Sequence, residues 1–122
     1  MNTKHPIPIL RSFDESKAKE FYIEFLGFEM LFEHRFEPDS PLYMGVILDK
    51  CALHLSEHYG DACPGSAIRI EIDDVEKFCR ELNKKHYRHA RPGVIEQPWG
   101  YRDMAIDDPA GNRLIFCSPI ES

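Results

Sequence analysis

The sequence has no long apolar run: its uninterrupted apolar stretches last only a few residues, far short of the roughly 20 that a membrane-spanning helix needs. It also lacks the basic-then-apolar start of a secretory leader, so the expected location is the cytoplasm. Cysteine is scarce and dispersed. Cys51, Cys63, Cys79 and Cys117 form no C-x-x-C pair and no Cys/His spacing that would clasp zinc, so thiols in a reducing compartment are expected rather than disulfides. There is no G-x-S-x-G elbow, no glycine-rich phosphate loop and no H-E-x-x-H helix motif. No catalytic residue and no cofactor are therefore expected. Basic residues are outnumbered, 15 against 21 acidic, for a formal charge of −6. That balance repels nucleic acid and draws cationic ligands. The one basic stretch, residues 84–91, follows a predicted helix whose macrodipole cations complement.

What is present is the mixture of an ordinary globular domain, 43% apolar and 30% charged. At 122 residues it is one domain, too short for two independent cores. Ile7, Ile9 and Leu10 suit a strand over residues 5–11, which Pro6 and Pro8 confine to an edge or an exchanged arm. A helix follows, capped by Asp14 or by a Ser12–Glu15 capping box, with Ala18, Phe21, Tyr22, Phe25 and Leu26 at helical spacing and Gly27 as its stop. Strands are predicted over 28–36, 42–48 and 51–57. After a linker at 58–65 the order recurs: a strand over 66–73, a helix capped by Asp74 that carries Val75, Phe78, Cys79 and Leu82, and strands near 88–95, 101–106 and 113–118. Asp108-Pro-Ala-Gly111 is a turn joining the last two. Asp14 overlays Asp74, a repeat offset of 60 residues.

Several segments carry a family resemblance: Ile7-Pro8-Ile9-Leu10, Phe21-Tyr22 before Leu26-Gly27-Phe28, Glu96-Gln-Pro-Trp-Gly100, and Asp108-Pro-Ala-Gly-Asn112. Together they resemble the glyoxalase/bleomycin-resistance family of the vicinal-oxygen-chelate superfamily, and most of all its drug-binding branch. The resemblance implies an α+β fold of two βαβββ modules, about residues 5–57 and 66–118, forming a cupped mixed sheet in an arm-exchanged homodimer. It implies a non-catalytic protein that sequesters a bleomycin-type antibiotic, a cationic glycopeptide.

The same resemblance supplies candidate site residues. Metalloenzymes of the superfamily place ligands at positions that fall on Ile7, His54, Ala67 and Ile115, of which only His54 can bind an ion, whereas a catalytic site needs about three protein ligands. No metal is expected. The rival reading is a glyoxalase- or dioxygenase-like enzyme that uses His54 and His5. In the drug-binding branch, aromatic walls fall on Phe32, Tyr43 and Trp99, with Gly100 allowing a ligand close to the backbone. Arg69 and Glu71 stand where relatives carry aromatics. With His54 they make a more polar face, suited to a polar or mixed small molecule.

Overall fold

A computed structural model of the protein describes residues 1–120. The described residues form two compact units that divide between residues 64 and 65, and each has one helix and a four-stranded mixed sheet. Among the described residues no helix is long and apolar enough to cross a membrane.

In the first unit, β1 (Ile9–Arg11) leads to α1 (Glu15–Lys19), and β2 (Glu29–His34), β3 (Tyr43–Leu48) and β4 (Cys51–Ser56) follow. The sheet order is β1-β4-β3-β2, with β1 parallel to β4 and the rest antiparallel. Asp14, not a Ser12 box, caps α1, its Oδ1 accepting from Lys17 N at 3.0 Å. Ser12 N is instead taken up by the Ser56 carbonyl, which ties β1 to β4. The helical pattern continues past α1, but residues Glu20–Phe25 are π-helical, with Leu26 N donating five residues back to Phe21 O at 2.9 Å. Such a widened turn is rare. Here Phe21, Tyr22, Phe25 and Leu26 are all buried across it. Gly27 then ends the segment at φ +90°, a conformation that only glycine adopts without strain.

Side chains alternate across a strand, so the sheet has two distinct faces. Leu10, Met44, Val46, Leu53 and Leu55 are buried on one. Lys19 of α1 ion-pairs with Glu33, and Glu33 lies opposite Met44, which places the helix over this face. Ile9, Phe32, Tyr43, Gly45 and His54 point to the other, open face. A bulge between Met30 and Phe32 decides that Phe32 rather than Leu31 joins it.

The second unit repeats the plan: β5 (Ala67–Glu71), α2 (Val75–Asn83), β6 (Ile95–Gln97), β7 (Tyr101–Asp107) and β8 (Arg113–Pro119), in sheet order β5-β8-β7-β6. Asp74 Oδ1 accepts from Lys77 N at 3.0 Å, the counterpart of the Asp14 cap at the 60-residue offset. Val75, Cys79 and Leu82 are buried with Ile70, Met104, Ile106, Leu114 and Phe116, and Phe78 meets the Phe116 ring edge-on at 5.0 Å.

Several expected boundaries move, the strand over 66–73 among them, which is Ala67–Glu71. The first strand is Ile9–Arg11, not 5–11, although Pro8 O still accepts from His54 N at 2.9 Å. The strand predicted over 28–36 is Glu29–His34. The strand predicted over 88–95 is Ile95–Gln97. Pro92 lacks an N–H for a ladder, and its carbonyl is engaged by Asn83 Nδ2 at 3.0 Å and the Cys79 thiol at 3.3 Å. That segment is fixed to α2 rather than to a neighbouring strand.

The β7–β8 turn gives a direct test of packing against surface charge. Buried Asp108 accepts through Oδ1 from Ala110 N at 2.9 Å and Asn112 N at 2.8 Å, and through Oδ2 from Asn112 Nδ2 at 3.0 Å. Its neighbour Asp107 holds only an exposed pair with Arg113 at 3.0 Å. Asp108→Ala leaves buried donors unmet and should cost about 1–3 kcal/mol. Asp107→Ala removes only a solvent-screened pair and should shift the unfolding midpoint far less. Urea unfolding of the two variants measures the difference.

Candidate functional site

On the open face of the first unit the β2 bulge and the β3–β4 register bring Phe32, Tyr43 and His54 together. The Phe32 and Tyr43 rings stack at 6.2 Å with a 16° tilt, and His54 stands edge-on to both at 5.2 and 5.3 Å. Tyr43 Oη and His54 Nδ1 share a hydrogen bond of 2.7 Å. Burial raises the Tyr43 pKa above the ordinary phenol value, with the Asp61 carboxylate adding to the shift, so Tyr43 is a neutral phenol at pH 7. Gly45, opposite both Phe32 and His54, permits the arrangement by lacking a side chain. A Cβ there would sit 2.3 Å from Phe32 Cε2. Phe32 is 39% exposed and Ile9, paired with His54, is 43% exposed. Large apolar side chains left open on one face are the usual mark of a surface that receives something.

The open face of the second unit carries Arg69 and Glu71 on β5 with Tyr101 and Asp103 on β7. Arg69 grips the nearly buried Asp103 with both terminal nitrogens, Nη1 to Oδ2 at 2.9 Å and Nη2 to Oδ1 at 2.8 Å, the bidentate geometry that makes such pairs strong. Its Cζ lies 5.6 Å from the Tyr101 ring centroid. Tyr101 Oη donates to Glu71 Oε1 at 2.8 Å, which raises the Tyr101 pKa. Arg69 holds the Asp103 carboxyl below its ordinary range. Cys117, opposite both Asp103 and Glu71 in register, is buried, and burial pushes its thiol pKa up. No disulfide joins the four cysteines.

Trp99 and Gly100 lie in the three-residue turn between β6 and β7, where Gly100 N donates to Gln97 O at 3.1 Å. Glu96 and Gln97 belong to β6 rather than to the loop. Trp99 is 62% exposed, so it is not part of the core. Gly100 has φ +91°, and a Cβ at this position would meet nothing within 4 Å, so the turn's backbone conformation, not crowding by protein, calls for glycine.

In the strand register Ile9 lies opposite His54 and Arg69 opposite Ile115, while Ile7 precedes β1 and Ala67 pairs with Arg113. Ile9 has no lone pair and Arg69 is a cation. His5 is exposed and precedes β1. His58, four residues after His54, falls in the turn beyond β4, so the two do not share a helix face. Among the described residues no three His, Cys, Asp or Glu side chains cluster to hold a metal ion.

Asp103 and Tyr101 are the residues that sequence reasoning missed. One signal was available, since aspartate is depleted from strand interiors and Asp103 sits within β7 beside Met104.

Two mixed sheets, each with one helix, one covered face and one open face, define an α+β class of repeated-module folds. The sequence profile of the glyoxalase superfamily matches residues 1–122, and the chain belongs to that superfamily. Among its relatives, the bleomycin resistance protein of Geobacillus stearothermophilus is 23% identical over 134 residues, covering 95% of this chain and 97% of that one. The bleomycin-binding protein from bleomycin-producing Streptomyces verticillus, solved with copper(II)-bleomycin, is 28% identical with a TM-score of 0.70 and covers 100% and 99% of the two chains. An antibiotic-binding protein from Streptomyces sp. CB03234 superposes with a TM-score of 0.72 at 24% identity over 98% of each chain, a likeness of fold.

The Arg69–Asp103 pair predicts a pH signature. A carboxylate whose folded pKa is depressed stabilises the fold above its unfolded value, about 3.9, and that contribution is lost as pH falls through the lower folded value. Arg69→Met strands the nearly buried carboxylate and should destabilise by about 1–3 kcal/mol at pH 7. The gap in melting temperature from wild type should narrow steadily below about pH 4.

Proposed function

We propose that this protein captures a flat, cationic small molecule of the bleomycin type and withholds it from its target without chemical turnover, acting as a homodimer. The observation that carries this reading is the exposed Phe32 ring grouped with the half-buried Tyr43 and His54 over Gly45. It is a stacking surface in which Tyr43 and His54 are tied to each other by their 2.7 Å hydrogen bond. Trp99 on its exposed turn adds an amphipathic ring, of the kind that suits a binding rim, and Gly100 lets ligand approach the backbone. On the second unit Arg69 and Glu71 offer a polar face of their own, and the net charge of −6 favours encounter with a cation. The names and ligands of the relatives support the same reading.

The test is a thermal-shift titration with metal-free bleomycin. At 100 times its dissociation constant a ligand should stabilise the fold by about 2.7 kcal/mol; no shift at any attainable concentration overturns the reading. Binding should also perturb the fluorescence of the single tryptophan. Trp99→Ala should weaken binding by about 1–3 kcal/mol while changing stability by under about 0.5 kcal/mol, as befits an exposed side chain.

The dimer is supported by exposed Ile7 and Ile9 beside an N-terminal segment that adds only three residues to the sheet edge. Exposed strand edges seek pairing. Sedimentation at micromolar concentration should give about twice 14.2 kDa; a strict monomer refutes the assembly.

A further inference from the structure

The second unit's open face has a feature that stacking on the first does not require. Arg69 is fixed from two sides, by the bidentate Asp103 carboxylate and by the Tyr101 ring, yet its side chain remains 41% exposed. A guanidinium held in this way presents a flat, weakly hydrated cation on which an electron-rich ring can lie. Two residues along β5, on the same face, Glu71 is fixed by Tyr101 through Oε1 alone, which leaves its other oxygen as an acceptor. Residues two apart on a strand stand about 7 Å apart. Asp103 already neutralises Arg69, so the net charge of this group comes from Glu71.

We propose that this face binds an arylalkylammonium group, with its ring laid on the Arg69 guanidinium and its ammonium held by Glu71. The assignment rests on the reading of the protein as a small-molecule binder and names the chemistry that one of its faces selects. The neutralised Arg69 gives an anionic ligand no net attraction, and Glu71 repels it. An arginine in place of an aromatic wall therefore changes the stacking partner without abolishing stacking.

Three indoles of matched size test this on the full chain by NMR titration, following the Arg69 Nε–H signal: tryptamine, with a two-carbon ammonium arm; tryptophol, with a hydroxyl in its place; and indole-3-propionate, with a carboxylate. The expected order of affinity is tryptamine, then tryptophol, then indole-3-propionate, with the Arg69 signal moving for the first two. Glu71→Gln should bring tryptamine down to the level of tryptophol, a loss of up to about fivefold for an exposed ion pair. Arg69→Lys keeps the charge but loses the plane; it should weaken both by about two- to fivefold and preserve their ratio. Equal or tighter binding of indole-3-propionate, an unmoved Arg69 signal, or an unchanged ratio in Glu71→Gln each overturns the proposal. Should Arg69→Lys fail to fold, the wild-type signal and Glu71→Gln still decide the matter. Bleomycin binding that survives while the indole series fails overturns only this assignment, and an indole series that behaves as expected without bleomycin binding overturns only the choice of antibiotic.

Discussion

Each four-stranded sheet here has two faces and only one helix with which to cover them. The rest follows from that constraint. The helix takes the face bearing the apolar half of the strand alternation: Leu10, Met44, Val46, Leu53 and Leu55 in one unit, and Ile70, Met104, Ile106, Leu114 and Phe116 in the other. The opposite faces receive whatever the sequence places at the intervening positions. Several of those positions escape the packing demands that shape a core, so they carry rings in one unit and an ion-pair group in the other.

The two units make different use of this freedom. In the first, a missing side chain at Gly45 and one extra residue in β2 let Phe32 lie beside Tyr43 and His54. In the second, a nearly buried carboxylate at Asp103 orders an arginine that would otherwise be a mobile surface cation. Burying a carboxylate is costly unless it is paired and hydrogen-bonded. Its presence within β7 is therefore the sign that Arg69 has a fixed place. The halves retain equivalent caps at Asp14 and Asp74. Their open faces differ chemically, aromatic in the first unit and charged in the second.

Membership of the glyoxalase superfamily fixes architecture more firmly than chemistry. A superfold hosts many functions, and function resides in the site. In this chain the strand register puts isoleucine opposite His54 and arginine opposite Ile115. The open faces accordingly offer rings and an imidazole in one unit and an ion pair in the other.

Much of the architecture could be read from the residues alone because it depends on local periodicity and local punctuation. Asp14 and Asp74 as caps, Gly27 as a stop and the Asp108 turn each work within a few residues of chain. The alternation of Ile68 and Ile70 with Arg69 and Glu71 assigns faces before any pairing is known. Register cannot be read this way. A parallel pairing is set by contacts between distant segments, so the pairing of Ile9 with His54 is not legible in the chain, and the β2 bulge leaves no local signature. The π-helical turn is hidden for a similar reason, since helical spacing alone does not reveal how a widened turn buries Phe21, Tyr22, Phe25 and Leu26 together. Asp103 becomes meaningful only when β5, β8 and β7 come side by side, 34 residues of chain separating it from Arg69. The sequence by itself determined the order of elements and, outside the bulged β2, which residues face away from each helix; only tertiary structure decided the face of Phe32 and which of those residues touch, because contact across a sheet depends on register and not on the spacing of residues along the chain.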